Sequence, residues 1–249
     1  MKTRTILLAL LCSCATTTGF AQLRLGGKIG MNVATLKGSY GTGEAAKQKI
    51  GFHAGLRAEY PLGEASKLAL AGELLFSTQG LITDSSNLQN DGNGNFSYRE
   101  TRNTYSLNYI NLPVFLKYQV LEQLSIEGGP QFGYAISGEI KTEITNTENP
   151  AQNQTYTQDA LKAGYRLNGT TLQPYPKTIK PLDIGLNFGA TYDFSDKVFA
   201  QLHYYFGLND IDARTPASYS PSNPNYFFTT QTYTLRSSVF QVSLGYRFM

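Results

Sequence analysis

From Leu23 onward the chain keeps returning to a two-residue alternation of apolar and polar positions. Leu23, Leu25, Ile29, Met31 and Val33 alternate with Arg24, Lys28 and Asn32, and Ile50, Phe52, Leu56 and Tyr60 alternate with His53, Arg57 and Glu59. Side chains on a strand point to opposite faces in turn, so each such run predicts a strand with one greasy face and one polar face. The same pattern marks residues 68–77, 110–118, 124–136, 182–194 and 198–209. The last run, 237–249, sets Phe240, Val242, Leu244, Tyr246 and Phe248 against Gln241, Ser243 and Arg247. One alternating run is weak evidence; a series of them, each near the length of a tilted membrane-crossing strand, predicts a transmembrane barrel. The fold expected is all-β, an eight-stranded antiparallel up-and-down transmembrane β-barrel over residues 22–249. Pro113 lacks an amide proton, so a bulge or a weakened hydrogen bond is expected at that point.

The connections alternate in length. Residues 61–67, 120–123 and 195–196 are short links, whereas 35–48, 80–105, 137–180 and 210–234 are long. Membrane barrels have short periplasmic turns and longer extracellular loops, which puts four long loops outside and both chain ends on the periplasmic side. Tyr60, Tyr118, Tyr192, Phe194, Tyr246 and Phe248 then fall at periplasmic strand ends, where an interfacial aromatic belt belongs.

Alternation does not say which face is the lumen, because a soluble barrel can hold its apolar set inside. Glycine decides it. Gly26, Gly30, Gly51, Gly55, Gly129, Gly133, Gly185, Gly189, Gly207 and Gly245 all share the polar parity. Glycine weakens a strand, and small residues on a concave face let a narrow eight-stranded barrel close around long side chains. The polar set therefore faces inward: Arg24, Lys28, Arg57, Lys117 and Arg247 with Glu59, Glu73, Glu127 and Asp183. Charges removed from bulk water need partners, so these are expected to interlock and to fill the lumen against all but water or small ions.

Charged residues make up only 16% of the chain, and the net charge of +3 includes Lys2 and Arg4 near the N-terminus. No basic stripe interleaves with aromatics, so nucleic acid is not an expected partner. Lys2 and Arg4, the apolar run 6–11 and Gly19-Phe20-Ala21 before Gln22 read as a signal peptide over residues 1–21. Both cysteines, Cys12 and Cys14, lie in that leader; lipidation at Cys14 is the alternative reading. Cleavage after Ala21 leaves no thiol chemistry.

The stretch Asn108-Tyr-Ile-Asn-Leu-Pro-Val-Phe-Leu-Lys-Tyr118, followed by Leu124-Ser-Ile-Glu-Gly-Gly-Pro-Gln-Phe-Gly-Tyr134, resembles the PorT-like outer-membrane barrels of Bacteroidota. So do Gly27-Lys-Ile-Gly-Met-Asn32 and Asp183-Ile-Gly-Leu-Asn-Phe-Gly189. The resemblance implies outer-membrane residence and, through the founding member, a role in protein secretion; it supplies no catalytic motif. A terminal strand ending on aromatics also looks like the assembly signal of such barrels, carried here by Phe240, Val242, Leu244, Tyr246 and Phe248.

Candidate chemistry is sparse. The only histidines, His53 and His203, are of lumen parity, and no G-x-S-x-G context accompanies them. They are expected to belong to the polar filling, so no catalytic residue is assigned. Asp84, Asp91, Asp210 and Asp212 are scattered, and 91–95 lacks the alternating acids and closing Glu of a calcium loop; no metal or cofactor is assigned. The loops are rich in Tyr and Phe, and Tyr219, Tyr226, Phe227 and Phe228 are the candidates for contact with a partner. The chain is expected to be a non-enzymatic scaffold or secretion- or envelope-associated component of the outer membrane. Its expected partners are outer-membrane lipid, the barrel-assembly machinery and secretion or envelope proteins. The alternatives are a small-solute porin-like channel and a barrel-embedded lipid-modifying enzyme.

Overall fold

The computed structural model describes residues 23–38, 45–63, 66–90, 96–168, 171–214 and 234–248. Residues 1–22, where a leader is expected and where both cysteines lie, and the loop candidates Tyr219, Tyr226, Phe227 and Phe228 fall outside the described residues. Strands β1 (Arg24–Gly38), β2 (Ala45–Pro61), β3 (Leu68–Asn90), β4 (Phe96–Gln119) and β5 (Leu124–Asn146) pair in sequence. After them come β6 (Gln154–Asp159), a hairpin of β7 (Gly164–Asn168) and β8 (Thr171–Tyr175), and then β9 (Leu182–Asp193), β10 (Val198–Gly207) and β11 (Leu235–Arg247). β5 pairs with β9, β9 with β10, β10 with β11, and β11 returns to β1 antiparallel from Gly26↔Arg247 to Gly38↔Leu235. The ring of eight is closed, up-and-down and antiparallel.

The predicted faces hold. Outward positions are apolar and exposed: Ile29, Met31, Leu56, Leu74, Leu116, Phe132, Phe188 and Leu202 among them. Inward positions are mostly polar and buried, including Lys28, Asn32, Arg57, Glu73, Glu127 and Gln201. This inverts a soluble protein and is stable only where the outer surface meets hydrocarbon. The inward glycines make room for rings. A Cβ on Gly189 would collide with the His203 ring, and one on Gly245 with the Phe199 ring.

The structure departs from the sequence reading beyond the membrane. Two of the long connections are largely strand: β3, β4 and β5 run 23, 24 and 23 residues, roughly twice what a tilted transmembrane strand needs. They rise as a wall on the long-loop side, the side expected to be extracellular, widened by β6 along β5 from Ile144↔Gln154 to Glu139↔Asp159. The polar, low-contrast sequence there hides the alternation. No bulge forms at Pro113; β3 and β4 keep one register on either side, Gly72↔Val114 and Leu75↔Asn111, with no pair between β3 and the proline, which pairs with Gln131 on β5. A register shift falls instead at Ile136, where Tyr109 faces Ala135 and Asn108 faces Ser137. One extra residue reverses the strand's parity, so Gly138, Ile140, Thr142 and Ile144 turn inward above it.

That reversal helps to build an apolar cap. Leu36, Leu81, Leu107, Ile140, Ala160, Ile179, Ile211 and Leu235 pack together across the extracellular mouth. Backbone bonds tie the incoming segments down: Ala160 N to Gly138 O at 2.9 Å, Ile179 N to Ala160 O at 2.8 Å and Ile211 N to Leu235 O at 2.9 Å.

Closure around the inward rings gives a direct comparison. Gly189→Ala and Gly245→Ala should lose the heat-modifiable folded band on unheated gels, whereas Gly72→Ala, where a Cβ meets nothing within 4 Å, should keep it.

Candidate functional site

Alternation along eight strands delivers the lumen side chains in layers. Lowest, at the periplasmic end, Arg247 Nη2 lies 2.7 Å from Asp193 Oδ1, and the guanidinium sits 4.7 Å from the centre of the Phe199 ring. Lys117 Nζ lies 3.0 Å from Glu59 Oε1 and 4.0 Å from Asp193. Arg24 has the inward parity expected but stands at the rim, its side chain 57% exposed and 4.0 Å from Glu59. These groups line a cavity of about 1130 Å³ that opens toward the periplasm, flanked by Lys67, Lys197 and Phe248.

Above this vestibule Arg57 is the hub. Its Nη1 donates to Glu73 Oε1 at 2.6 Å, and its Nη2 reaches Glu127 Oε2 and, at 3.4 Å, Glu59 Oε2. Lys28 Nζ bridges Glu73 Oε2 at 2.7 Å and donates to Gln201 Oε1 at 3.0 Å. Glu127 Oε1 collects three further groups: Gln201 Nε2 at 2.9 Å, Thr191 Oγ1 at 3.0 Å and His203 Nε2 at 2.6 Å. His203 stacks on Phe115 with ring centres 5.0 Å apart. Lys28, Arg57, Lys117 and Arg247 thus face Glu59, Glu73, Glu127 and Asp193, sign for sign. Of the expected set, Lys28, Arg57, Lys117, Arg247, Glu59, Glu73 and Glu127 come together, whereas Arg24 stays at the rim; Asp183 stands apart, accepting from Tyr205 Oη at 2.7 Å nearer the cap, and Asp193 pairs with Arg247 in its place. Both are of inward parity; only the height of the residue in the closed barrel separates them.

A second polar layer surrounds His53. Asn32 Nδ2 donates to Ser77 Oγ at 2.8 Å and to the Phe52 and Thr78 carbonyls, both at 3.1 Å, which fixes the amide orientation. Asn32 Oδ1 therefore accepts from His53 Nδ1 at 2.6 Å, and His53 Nε2 faces the Ser243 hydroxyl at 2.7 Å. A hydroxyl donating to an imidazole that an amide orients is the hydrogen-bond order of a nucleophilic relay. Sequence reasoning paired neither histidine with this serine, because Asn32, His53 and Ser243 meet only through the β1–β11 and β1–β2 registers. All three are buried, and the vestibule does not extend to them. Ladder pairing also engages the neighbouring backbone. In this setting the relay orients side chains and does not present a nucleophile.

The cap is fastened by Asp210, whose Oδ1 accepts from Leu235 N at 2.8 Å and Asp212 N at 3.0 Å while Oδ2 pairs with Lys180 at 3.3 Å. Partial burial pushes its carboxyl up, but these donors outweigh it and hold the group below the usual carboxylate range. Among the described residues no cluster of His, Cys, Asp or Glu is placed to hold a metal ion.

Residues 20–213 match the outer membrane protein beta-barrel domain family. The chain belongs to that family. Its place is the cell outer membrane. No curated protein matches the chain. Among solved structures, this outer-membrane barrel is similar to Ail, the attachment invasion locus protein of Yersinia pestis, at 11% identity and TM-score 0.40, covering 91% of this chain and 99% of that one. It is similar to Neisserial surface protein A at 10% identity and TM-score 0.40, covering 90% and 97%. It is also similar to the outer membrane protease OmpT from Escherichia coli at 11% identity and TM-score 0.40, covering 93% and 99%. At that level of likeness these structures say nothing of substrate or partner.

Removing the hub leaves Glu73 and Glu127 buried and short of a partner. Arg57→Met should destabilise the barrel by about 3–5 kcal/mol in denaturant unfolding from lipid vesicles, and adding Glu127→Gln should recover part of that loss. Ser243→Ala, which deletes one neutral hydrogen bond, should cost about 1 kcal/mol.

Proposed function

We propose that this barrel is a non-conducting, non-enzymatic scaffold of the outer membrane that works through its extracellular wall and loops. The observation that carries the reading is the double closure of the lumen, by the ion-paired lattice around Arg57 and by the apolar cap above it. A channel needs a continuous polar path, and here ten buried cap residues cross the mouth. A lipid-modifying enzyme needs a reachable nucleophile, and the Ser243–His53–Asn32 relay has no approach from solvent or lipid.

The surface outside the membrane is large by comparison. The wall β3–β6 carries Leu88, Phe96 and Tyr98 exposed at its tip, with Leu88 directly across from Tyr98. Aromatic and aliphatic side chains held on rigid strands favour protein contact. The resemblance to PorT-like barrels supports a partner from secretion or envelope assembly. β11, with Phe240, Val242, Leu244 and Tyr246 outward and exposed and Phe248 just past its end, is the segment offered to the assembly machinery.

Two measurements test this. In planar bilayers the purified barrel should show no conductance steps, and a stable open state would overturn the scaffold reading in favour of a pore. In native membranes, Leu88→Ser with Phe96→Ser and Tyr98→Ser, or deletion of residues 219–228, should leave folding intact and remove co-purifying envelope proteins. Unchanged co-purification from both variants would overturn the role given to the wall and loops. The Asp210 tether also sets a pH dependence. A carboxyl held below its ordinary value stabilises the cap above about pH 4 and ceases to do so as pH falls through its lowered value. Protease cleavage near residues 179–211 should therefore rise only in strong acid, and at neutral pH in Asp210→Ala.

A further inference from the structure

The outer wall of the barrel is apolar up the β1–β11 seam and then changes character within two rows. On β11 the outward residues from Phe248 to Phe240 are aromatic or aliphatic, the length a tilted strand needs to cross the hydrocarbon. The next outward pair across the seam is Thr35↔Ser238, and the one above it is Lys37↔Arg236. Two hydroxyls are thus topped by two cations directly opposite each other, at the height where the membrane gives way to headgroups.

Like charges placed opposite each other on neighbouring strands repel and need a cause. Neither Lys37 nor Arg236 forms an ion pair with a carboxylate among the described residues. Several other cations on the same side, though not all, do find acids: Lys47 and Arg102 meet Asp84, Lys141 meets Glu143, and Lys180 meets Asp210. Of the two, Lys37 is joined to a hydroxyl. Lys37 Nζ donates to Tyr204 Oη at 3.1 Å, and Tyr204 Oη lies 2.6 Å from Ser238 Oγ. Both cations are exposed. The sequence that continues from each end of the seam, residues 39–44 and 215–233, holds a single charged residue, Glu44.

We infer that Lys37 and Arg236, with the half-exposed Tyr204 hydroxyl that the buried Ser238 holds in place, bind the phosphate of an outer-leaflet lipid headgroup. The arrangement offers donors and two positive charges on an outward face, which suits a tetrahedral phosphate through charge-assisted hydrogen bonds. The position selects a lipid as its source. The apolar wall directly below must be covered by acyl chains, so a headgroup attached to those chains is held at this height. This inference rests on the membrane placement of the barrel and not on the scaffold reading.

The test uses the folded barrel in phosphatidylcholine nanodiscs containing monophosphoryl lipid A, or the same glycolipid with its phosphate removed, and reads lipid retained on the protein by native mass spectrometry. Retention should favour the phosphorylated form. A basic side chain near a charged membrane surface contributes about one kilocalorie per mole, so Lys37→Gln or Arg236→Gln should weaken retention roughly fivefold, and both together about thirtyfold. Lys37→Glu is the second variant: it pairs with Arg236, so the heat-modifiable folded band should persist while retention of the phosphorylated lipid is lost. Equal retention of the two lipid forms, or unchanged retention in the double variant, would overturn the inference. A several-fold gain in retention by Glu44→Gln would overturn it too, by showing that Glu44 already neutralises the pair.

Discussion

Everything in this barrel depends on keeping ionised groups paired inside a narrow space that water does not freely enter. A carboxylate or guanidinium moved out of water loses several kilocalories per mole of hydration, and only close opposite charge with satisfied hydrogen bonds returns it. Four cations and four carboxylates meet that condition across seven different strands, with Arg57 touching three acids at once. The lattice therefore cannot form until the sheet has closed. Once formed, it opposes reopening, because separating any two strands strands a charge.

That lattice needs room of a particular shape, and glycine supplies it. The Phe199, Tyr205 and His203 rings lie flat against Gly245, Gly185 and Gly189, in space that any side chain would fill. What weakens each strand taken singly is what allows eight of them to wrap around long polar side chains. The outer face carries no such constraint, which is why its residues vary freely in shape while staying apolar.

The interior is consequently one-ended. A vestibule opens to the periplasm, an ion lattice and a histidine layer follow, and an apolar cap lies across the far mouth. In the scaffold reading proposed above, the molecule does not use its lumen as a passage. Its variable chemistry is displaced to the outside, into a wall of strands extended past the membrane and into a cationic seam at the headgroup level.

The sequence by itself determined the number of strands in the ring, the face each of them turns to lipid, and the short-and-long alternation of connections. All three follow from a period of two and from turn composition, which are local. It also named most of the lattice, because inward parity is readable residue by residue. It could not choose Asp193 over Asp183, or seat Ser243 against His53, since those outcomes depend on the stagger of strands distant in sequence. The extended wall was likewise invisible: above the membrane the outer face meets water and the buried face mixes apolar with polar residues, so little hydrophobic contrast marks it. One extra residue at Ile136 reversed the faces of β5 and sent Ile140 into the cap. Alternation is written along the chain, whereas height, stagger and parity reversal exist only once the ring has closed.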